Sequence, residues 1–386
     1  LFLFGSCAAH SHQFSLALIM SSVCLPAGDI FVPVQIEEND IYTGIFKLLE
    51  VIRPDWSKEH VKFKLYTDGI TNKLVACQYQ SQAQFNDNIS SGNNIVLVRI
   101  YGNKTDLIID RTAELRNIKK LNVLGLAPKI YGIFENGLAY QYYPGVTLNV
   151  DTVLDSKVWP LVAKQMAKMH KVQLGPEVTK NPMVWDKIDQ FLNLLPEPFT
   201  DETKQKRFVD SFGSLTRLRI ESERLKSYVT KTESPIVFAH NDLLLGNVIH
   251  NQDEGTISFI DYEYAAYNYQ AFDIANHFNE FVGLSIDDID YGKYPSKEFQ
   301  MSWIAAYLAE FLNVDSPDQS AVEKVYEEVQ HLALASHFMW GAWSLVQFEL
   351  SDIDFDFGRL NKYRTWLLLK PLRARFGWAD CSDYPA

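Results

Sequence analysis

The sequence predicts an α+β protein of two lobes, a small lobe of sheet and helix followed by a large helical lobe. The chain has 386 residues, more than a single hydrophobic core usually holds. Its first part is rich in β-type segments, whereas the periodic segments after Pro144-Gly145 mostly have helical spacing. We expect a variable extension over residues 1–30, an N-terminal lobe over 31–143 and a C-terminal lobe over 144–386.

The elements of the N-terminal lobe follow from apolar spacing and turn residues. Apolar residues at helical spacing stop at Pro54, and Asn136-Gly137 is a strong hairpin turn. A polar loop over 80–94 is expected between two of the strands. In chain order we predict a helix over 40–53, strands over 61–66, 73–79 and 95–101, a helix over 106–121, and hairpin strands over 129–134 and 138–143.

The C-terminal lobe contains long segments with the period of an amphipathic helix. We predict helices over 158–171, 183–195, 204–231, 296–312, 319–347 and 357–372. Two short apolar runs, 236–239 and 256–260, are predicted as strands on either side of a polar loop.

Composition excludes several functions. A formal net charge of −12 argues against a nucleic-acid partner, which needs a basic surface. No apolar run reaches the ~20 residues that span a bilayer, so we expect no stable membrane insertion. The 4 cysteines lack metal-ligand spacing and indicate a reducing compartment. The expected assembly is a monomer or a homodimer.

The polar loop, His240-Asn241-Asp242-Leu243-Leu244-Leu245-Gly246-Asn247, is followed by Ile260-Asp261 at the end of the next strand pair. This arrangement is that of the phosphoryl-transfer core of the kinase-like fold. Asp242 can accept a hydrogen bond from an alcohol and take its proton, while Asn247 and Asp261 offer oxygens to Mg²⁺. Each residue alone is typical of a turn. The set predicts an ATP- and Mg²⁺-dependent phosphotransferase, and ATP use favours the cytoplasm.

A loop over residues 68–73 could fold over the phosphates of the nucleotide. Gly69 allows close approach of the backbone, and Thr71 or Asn72 can donate hydrogen bonds. An ordinary hairpin loop is the alternative interpretation of this segment.

Four further residues are candidates for the nucleotide site. Arg99 lies within a predicted strand where its guanidinium can reach α/β-phosphates, and Glu114 on the next helix is its natural partner. The alternative is an outward strand residue and a solvated helix charge. Gln141 and Tyr143 fall where the segment between the lobes is expected to meet adenine.

Trp340 and Trp343 are three residues apart on one predicted helix and therefore share a face. Two Trp rings beside a Tyr can form a cage for a positively charged nitrogen, which nearby carboxylates can neutralise. Ordinary core packing explains such a pair equally well.

The chain resembles the choline/ethanolamine kinase family over roughly residues 40–375, and within that family it most resembles the ethanolamine kinases. The segments that carry the resemblance are 67–74, 240–247, 260–264, 267–269 and 273–281. It implies that Asp242 is the catalytic base, that Asn247 and Asp261 bind Mg²⁺, and that Arg99 contacts phosphate. It further implies an amino-alcohol pocket lined by four residues, namely Tyr264, Glu280, Trp340 and Trp343.

The implied activity is phosphorylation of ethanolamine by ATP, the first step towards phosphatidylethanolamine by the CDP-ethanolamine route. A choline kinase or an enzyme acting on both amino alcohols is the alternative within the same fold. A catalytically dead scaffold is a different class of protein, but loss of a metal-binding acid would be its mark and Asp261 is present. No Asp-Phe-Gly stands at the end of the strand pair after the loop, where Asp261-Tyr262-Glu263 lies instead, and no Ala-Pro-Glu segment follows; both argue against a protein kinase.

Overall fold

The structure is a computed structural model, and it describes residues 29–66, 72–80, 94–102, 104–283, 289–351 and 357. The chain divides into two compact units. Residues 1–105 and 128–142 belong to the first, and residues 106–127 and 143–386 to the second. Three predicted segments lie largely outside the described residues. They are nearly all of the extension over 1–30, most of the loop over 80–94, and all but Phe357 of the helix over 357–372.

A six-stranded sheet forms the centre of the first unit. Its strands and its one described α-helix are β1 (Phe31–Val32), α1 (Ile41–Ile52), β2 (Val61–Tyr66), β3 (Asn72–Tyr79), β4 (Ile95–Tyr101), β5 (Ile130–Phe134) and β6 (Gly137–Gln141). The strand order is β1-β5-β6-β4-β3-β2, antiparallel except for the parallel pair β1 and β5. The apolar stripe of α1 is buried with Val75, Val96 and Val98 in one hydrophobic core.

Helix α2 (Arg111–Val123) belongs to the second unit, although the sequence placed it in the first lobe. Long-range hydrogen bonds explain the difference, because the Asn117 amide donates to the carbonyl of Ala265 at 2.6 Å. The helix also begins later than predicted. Asp110 caps it by accepting from the Ala113 N–H at 2.9 Å. Asp106, expected in its first turn, lies instead in a short 3₁₀ turn over Thr105–Leu107.

Helices dominate the second unit. Besides α2 they are α3 (Trp159–His170), α4 (Met183–Leu194), α5 (Glu202–Phe212), α6 (Leu215–Val229), α7 (Gln270–Asn279), α8 (Lys297–Leu312) and α9 (Gln319–Leu350). The single helix predicted over 204–231 is wrong. Gly213 has a φ of 80°, which ends α5, and the Ser214 side chain then accepts from the Arg217 N–H to cap α6.

Two small sheets of the second unit position the 240–247 loop. Strands β7 (Val146–Thr147), β9 (Val248–Asn251) and β10 (Thr256–Phe259) form one, and β8 (Ile236–Ala239) pairs with β11 (Ala266–Tyr269) in the other. The 240–247 loop therefore runs from the end of β8 to the start of β9. The segment 260–265 runs from the end of β10 to β11. Since β11 pairs with β8, this segment returns to the end of β8, where the 240–247 loop begins.

Among the helices that the structure describes, none combines the length and the apolar character needed to cross a bilayer. The longest, α9, is instead the central packing element of the second unit. Its residues from Leu332 to Val346 are all buried.

Candidate active site

The 240–247 loop is held by one buried carboxylate. The Asp273 side chain accepts from the His240 N–H at 2.9 Å and from the Asn241 N–H at 2.7 Å. His170 Nε2 donates to the same carboxylate at 2.9 Å. Burial alone would raise the pKa of Asp273, but the hydrogen bond and charge of His170 and the contacts with His240 outweigh it and lower that pKa. An ionised Asp273 thus fixes the backbone from which the loop starts.

Asn241 gives the loop its turn. Its φ is 68°, a left-handed conformation that Asn tolerates better than most residues. The Asn241 amide donates to the carbonyl of Tyr264 at 2.9 Å, and its oxygen accepts from the Asn268 amide at 2.8 Å. The amide thereby joins the loop to β11 and to the 260–265 segment, so the spacing of the two segments is fixed.

His240 in the loop and His277 beside it are buried and neutral. Burial lowers the pKa of His240, and it lowers the pKa of His277 to about 4. His240 Nε2 donates to the carbonyl of Ile260 at 2.9 Å, and His277 Nδ1 donates to the carbonyl of Leu243 at 3.0 Å. His240 therefore braces the loop by hydrogen bonding.

Asp242 and Asn247 are brought together within the loop. The Asn247 Nδ2 group donates to the backbone carbonyl of Asp242 at 2.8 Å. This bond uses the amide nitrogen, so the Asn247 oxygen is directed away from it and can serve as a metal ligand. Both side chains are 9% exposed, which keeps them largely shielded from water. The carbonyl of Asn247 also accepts from the Ile260 N–H at 3.0 Å. Asp261 is the residue that follows Ile260, so this bond ties its backbone to the loop.

Asp261 belongs to a cluster of three carboxylates. One carboxylate oxygen each from Glu114, Asp261 and Glu263 lies within 4.8 Å of the others. The Arg111 guanidinium donates to Glu114 at 3.0 Å and to Glu263 at 3.1 Å. Carboxylate oxygens of this kind are ligands that suit Mg²⁺. The cluster fits a divalent cation.

Two members of this cluster were not expected there. Glu114 was proposed as the partner of Arg99, and in the structure it is buried beside Arg111 and Asp261 in the second unit. Glu263 was not selected at all, because only the return of the chain after β10 brings it to α2. Its place two residues after Asp261, on an acidic strand end, was the available signal.

Tyr264, Trp340 and Trp343 form an aromatic wall. The rings of Tyr264 and Trp340 are 5.0 Å apart at 74°, and those of Trp340 and Trp343 are 5.7 Å apart at 75°. Both are edge-to-face pairs within the favourable distance range. Glu280, expected to line the same pocket, lies directly after α7 and is 1% exposed. Helix α7 packs along α9, which carries the two Trp residues.

The polar atoms of this wall are buried. The Tyr264 hydroxyl and the Trp343 indole nitrogen have no hydrogen-bond partner of normal geometry among the described residues. Burial, followed by the charges of Glu263 and Asp242, raises the pKa of Tyr264 well above its usual value against an opposing interaction with Trp343, so the hydroxyl stays protonated. The Tyr264 hydroxyl and the Trp343 N–H are therefore neighbouring polar groups within an otherwise apolar wall.

Lys187 on α4 is a residue that the sequence analysis missed. Its ammonium donates to the carbonyl of Ile108 at 2.6 Å and lies 5.9 Å from the centre of the Tyr264 ring. Burial lowers its pKa to about 8, against the opposing charges of Asp110 and Glu263. Its spacing within an ordinary amphipathic helix gave no signal of this environment.

The other predicted nucleotide residues are divided between the two units or are outside the described residues. Gly69 and Thr71 are outside them, and Asn72 begins β3. In the first unit, Arg99 is 6% exposed, with its guanidinium 5.6 Å from the centre of the Tyr101 ring. Gln141 accepts from the Lys129 N–H at 3.2 Å. Tyr143 belongs to the second unit, and burial raises its pKa to about 12. Their roles, and the pairing of Arg99 with Glu114, stay predictions.

Comparison with known proteins identifies the fold and the family. The ethanolamine kinase of Drosophila melanogaster is 43% identical over 408 aligned positions, which cover 86% of this chain and 78% of that protein. The solved ethanolamine kinase of Plasmodium vivax is 28% identical with a TM-score of 0.74, covering 88% of this chain and 91% of that one. The choline kinase of Cryptosporidium parvum shares the fold at 23% identity and a TM-score of 0.68, covering 88% and 98%.

These likenesses and the 240–247 loop define a phosphotransferase of the protein-kinase-like fold, as the sequence predicted. The match to choline/ethanolamine kinases extends over residues 63–367. The chain belongs to the choline/ethanolamine kinase family.

Proposed function

We propose that this protein transfers the γ-phosphoryl group of ATP to the hydroxyl of ethanolamine, giving phosphoethanolamine and ADP. The observation that supports this most is the second unit's arrangement of Asp242, Asn247 and the carboxylate cluster around Asp261. The identity to a protein named ethanolamine kinase supports the choice of substrate. The product would supply phosphatidylethanolamine synthesis, with the cytoplasm as the location.

Asp242 acts on the acceptor alcohol. Its carboxylate accepts a hydrogen bond from the ethanolamine hydroxyl, orients the oxygen towards the γ-phosphorus and takes the proton as the new P–O bond forms. The β–γ bridging P–O bond of ATP breaks, and ADP carries away its electron pair. Such catalysis depends on a fixed position of the base, which the bonds of Asp273 to the preceding two residues provide.

Asn247, Asp261 and Glu263 are the residues that would hold Mg²⁺. When bound, the ion supplies positive charge that neutralises the phosphate oxygens. Arg111 keeps Glu263 and Glu114 in place by its two short contacts. In the first unit, Arg99 and Asn72 stay the proposed contacts to the nucleotide phosphates.

The aromatic wall would bind the ammonium end of the substrate. Ring faces attract a cation, and a primary ammonium also has three donors that need acceptors once it leaves water. The Tyr264 hydroxyl is one such acceptor, and Glu280 is proposed as the neutralising acid. The quaternary ammonium of choline has no N–H donor and would be held by the rings alone.

The proposal is tested by direct turnover. We expect the purified chain with Mg·ATP to release ADP with ethanolamine and to give a higher kcat/KM with ethanolamine than with choline. ADP release coupled to a pyruvate kinase assay measures both substrates under one condition. A higher kcat/KM with choline would assign the chain to the choline kinases, and no turnover of either would support a catalytically dead scaffold.

Removal of the Asp261 carboxylate should weaken metal dependence. In Asp261→Asn we expect the Mg²⁺ concentration for half-maximal rate to rise at least about tenfold. Mutation of a residue that only hydrogen-bonds to a metal ligand already lowers metal affinity by about that factor. Titration of Mg²⁺ at fixed ethanolamine gives this value. The matched control is Asp253→Asn, the same change at an exposed turn before β10. An unchanged titration in Asp261→Asn would remove this residue from the metal site.

A further inference from the structure

A chain of buried polar side chains joins α7 to α9 behind the aromatic wall. The Trp340 indole N–H donates to Asn276 Oδ1 at 2.8 Å, and the Ser336 hydroxyl donates to the same oxygen at 2.8 Å. The Asn279 amide nitrogen donates to the Ser336 oxygen at 3.1 Å. We refer to these four side chains, Trp340, Asn276, Ser336 and Asn279, as the Trp340 relay.

The direction of every bond in the relay is set by Trp340. An indole N–H can only donate, so Asn276 must present its oxygen to it. Ser336 must then donate to that oxygen and accept from its other neighbour, which forces Asn279 to present its nitrogen. The amide orientations, which are usually ambiguous, are thus determined through three residues. The last of them directly precedes Glu280.

Stability does not explain the relay. Asn276 is 0% exposed and Asn279 is 5% exposed, yet Asn276 Nδ2 and Asn279 Oδ1 have no hydrogen-bond partner among the described residues. A buried polar atom without a partner is destabilising, and apolar side chains of the same shape could fill the space between two helices. The arrangement therefore points to a role beyond packing.

We propose that Asn276 is a positioning residue for the amino alcohol, because it fixes the rotation of the Trp340 ring against Tyr264 and Trp343. This rests on the proposed function of the aromatic wall. A cation is attracted to the face of a ring and not to its edge, so a ring that can rotate binds it less well. Nε1 lies off the Cβ–Cγ axis, so its bond to Asn276 opposes rotation of the Trp340 ring about that axis.

Two serine variants give a matched test. Ser336 and Ser344 are both 0% exposed and both lie on α9. Ser344 donates to the backbone carbonyl of Trp340 at 2.8 Å, so Ser344→Ala removes a bond to the same residue without touching its indole. We expect Ser336→Ala to raise KM for ethanolamine about threefold and Ser344→Ala to leave it unchanged.

Asn276→Leu should have the larger effect. We expect KM for ethanolamine to rise about tenfold while kcat changes by less than about threefold and KM for ATP stays constant. Asn276→Asp keeps acceptor oxygens for Trp340 and Ser336 and should restore KM to within about threefold of the original value. In a Trp340→Phe background, which lacks the N–H, Asn276→Leu should add little.

A second readout does not depend on turnover. In the NMR spectrum, the indole N–H resonance of Trp340 is the one that is lost in Trp340→Phe. Its chemical shift should change in Ser336→Ala and Asn276→Leu and should stay the same in Ser344→Ala. An unmoved resonance, or equal KM values in the two serine variants, would overturn the inference. Absence of turnover with either amino alcohol in the unmodified chain would instead contradict the proposed function, and the resonance would still report on the relay.

Discussion

Asp242→Asn is expected to lose about 10²–10⁴-fold in kcat with ethanolamine, the range for removal of a positioned base. The amide has nearly the shape of the carboxylate but cannot take the proton of the hydroxyl. The Asn247 side chain bonds to the backbone carbonyl of Asp242, so the loop should keep its conformation. KM for ATP should therefore change little. Steady-state kinetics with both substrates varied measures these parameters.

The control for this variant is again Asp253→Asn, which should keep the original kcat since Asp253 is exposed at a turn. A circular dichroism spectrum equal to that of the parent would show that Asp242→Asn is folded. If its kcat stays within tenfold of the parent, Asp242 is not the base.

Asp273→Asn is expected to lower the free energy of unfolding by about 3–5 kcal/mol, as when one partner of a buried charged network is removed. An amide offers one oxygen, whereas Asp273 accepts from the two backbone N–H groups of His240 and Asn241 through different oxygens. Either orientation of the amide sets its NH₂ group against one of these donors. His170 can change tautomer and accept a hydrogen bond from this NH₂ group, but a backbone N–H can only donate.

Urea unfolding of the second unit, followed by tryptophan fluorescence, measures this loss. Asp201→Asn is the matched control. Asp201 caps α5 by accepting from the Lys204 N–H at 2.9 Å, and Asn caps helices as well as Asp does. A loss below about 1 kcal/mol in Asp273→Asn would contradict the central role given to this carboxylate.

Elements with a clear sequence pattern were predicted well. Helix α1 and strands β2, β3 and β4 begin and end within a residue of their predicted bounds. Helix α1 buries one face, so its apolar residues recur at helical spacing, and the strands are β-rich runs between polar segments. Helix α7 and strand β11 were missed for the opposite reason. Every residue of α7 is buried, so its sequence shows no polar face to reveal the period.

The break between α5 and α6 was missed although a local signal existed. Apolar residues continue at helical spacing from Phe208 through Phe212 and Leu215, which hides the interruption. Gly213 followed by Ser214 is a helix stop and a helix cap in succession, and should have outweighed the spacing.

The candidate site was predicted in part. Asp242, Asn247 and Asp261 are recognisable because the first two lie in one short segment and the third comes just after the strand pair that follows it. The contacts of Asp273, the relay around Asn276 and the position of Glu263 depend on segments far apart in the chain. No spacing rule reports which buried side chains face one another, so only the fold reveals them.

The left-handed backbone at Asn241 has a consequence for how the enzyme meets its substrates. A residue in this region is held there only when its surroundings over-determine it, and the bonds to Asp273, Tyr264 and Asn268 do so. The loop is consequently rigid before any ligand arrives. Affinity for the substrates is then not diminished by ordering of this segment, and mutations that loosen it should slow turnover even where every reacting group is retained.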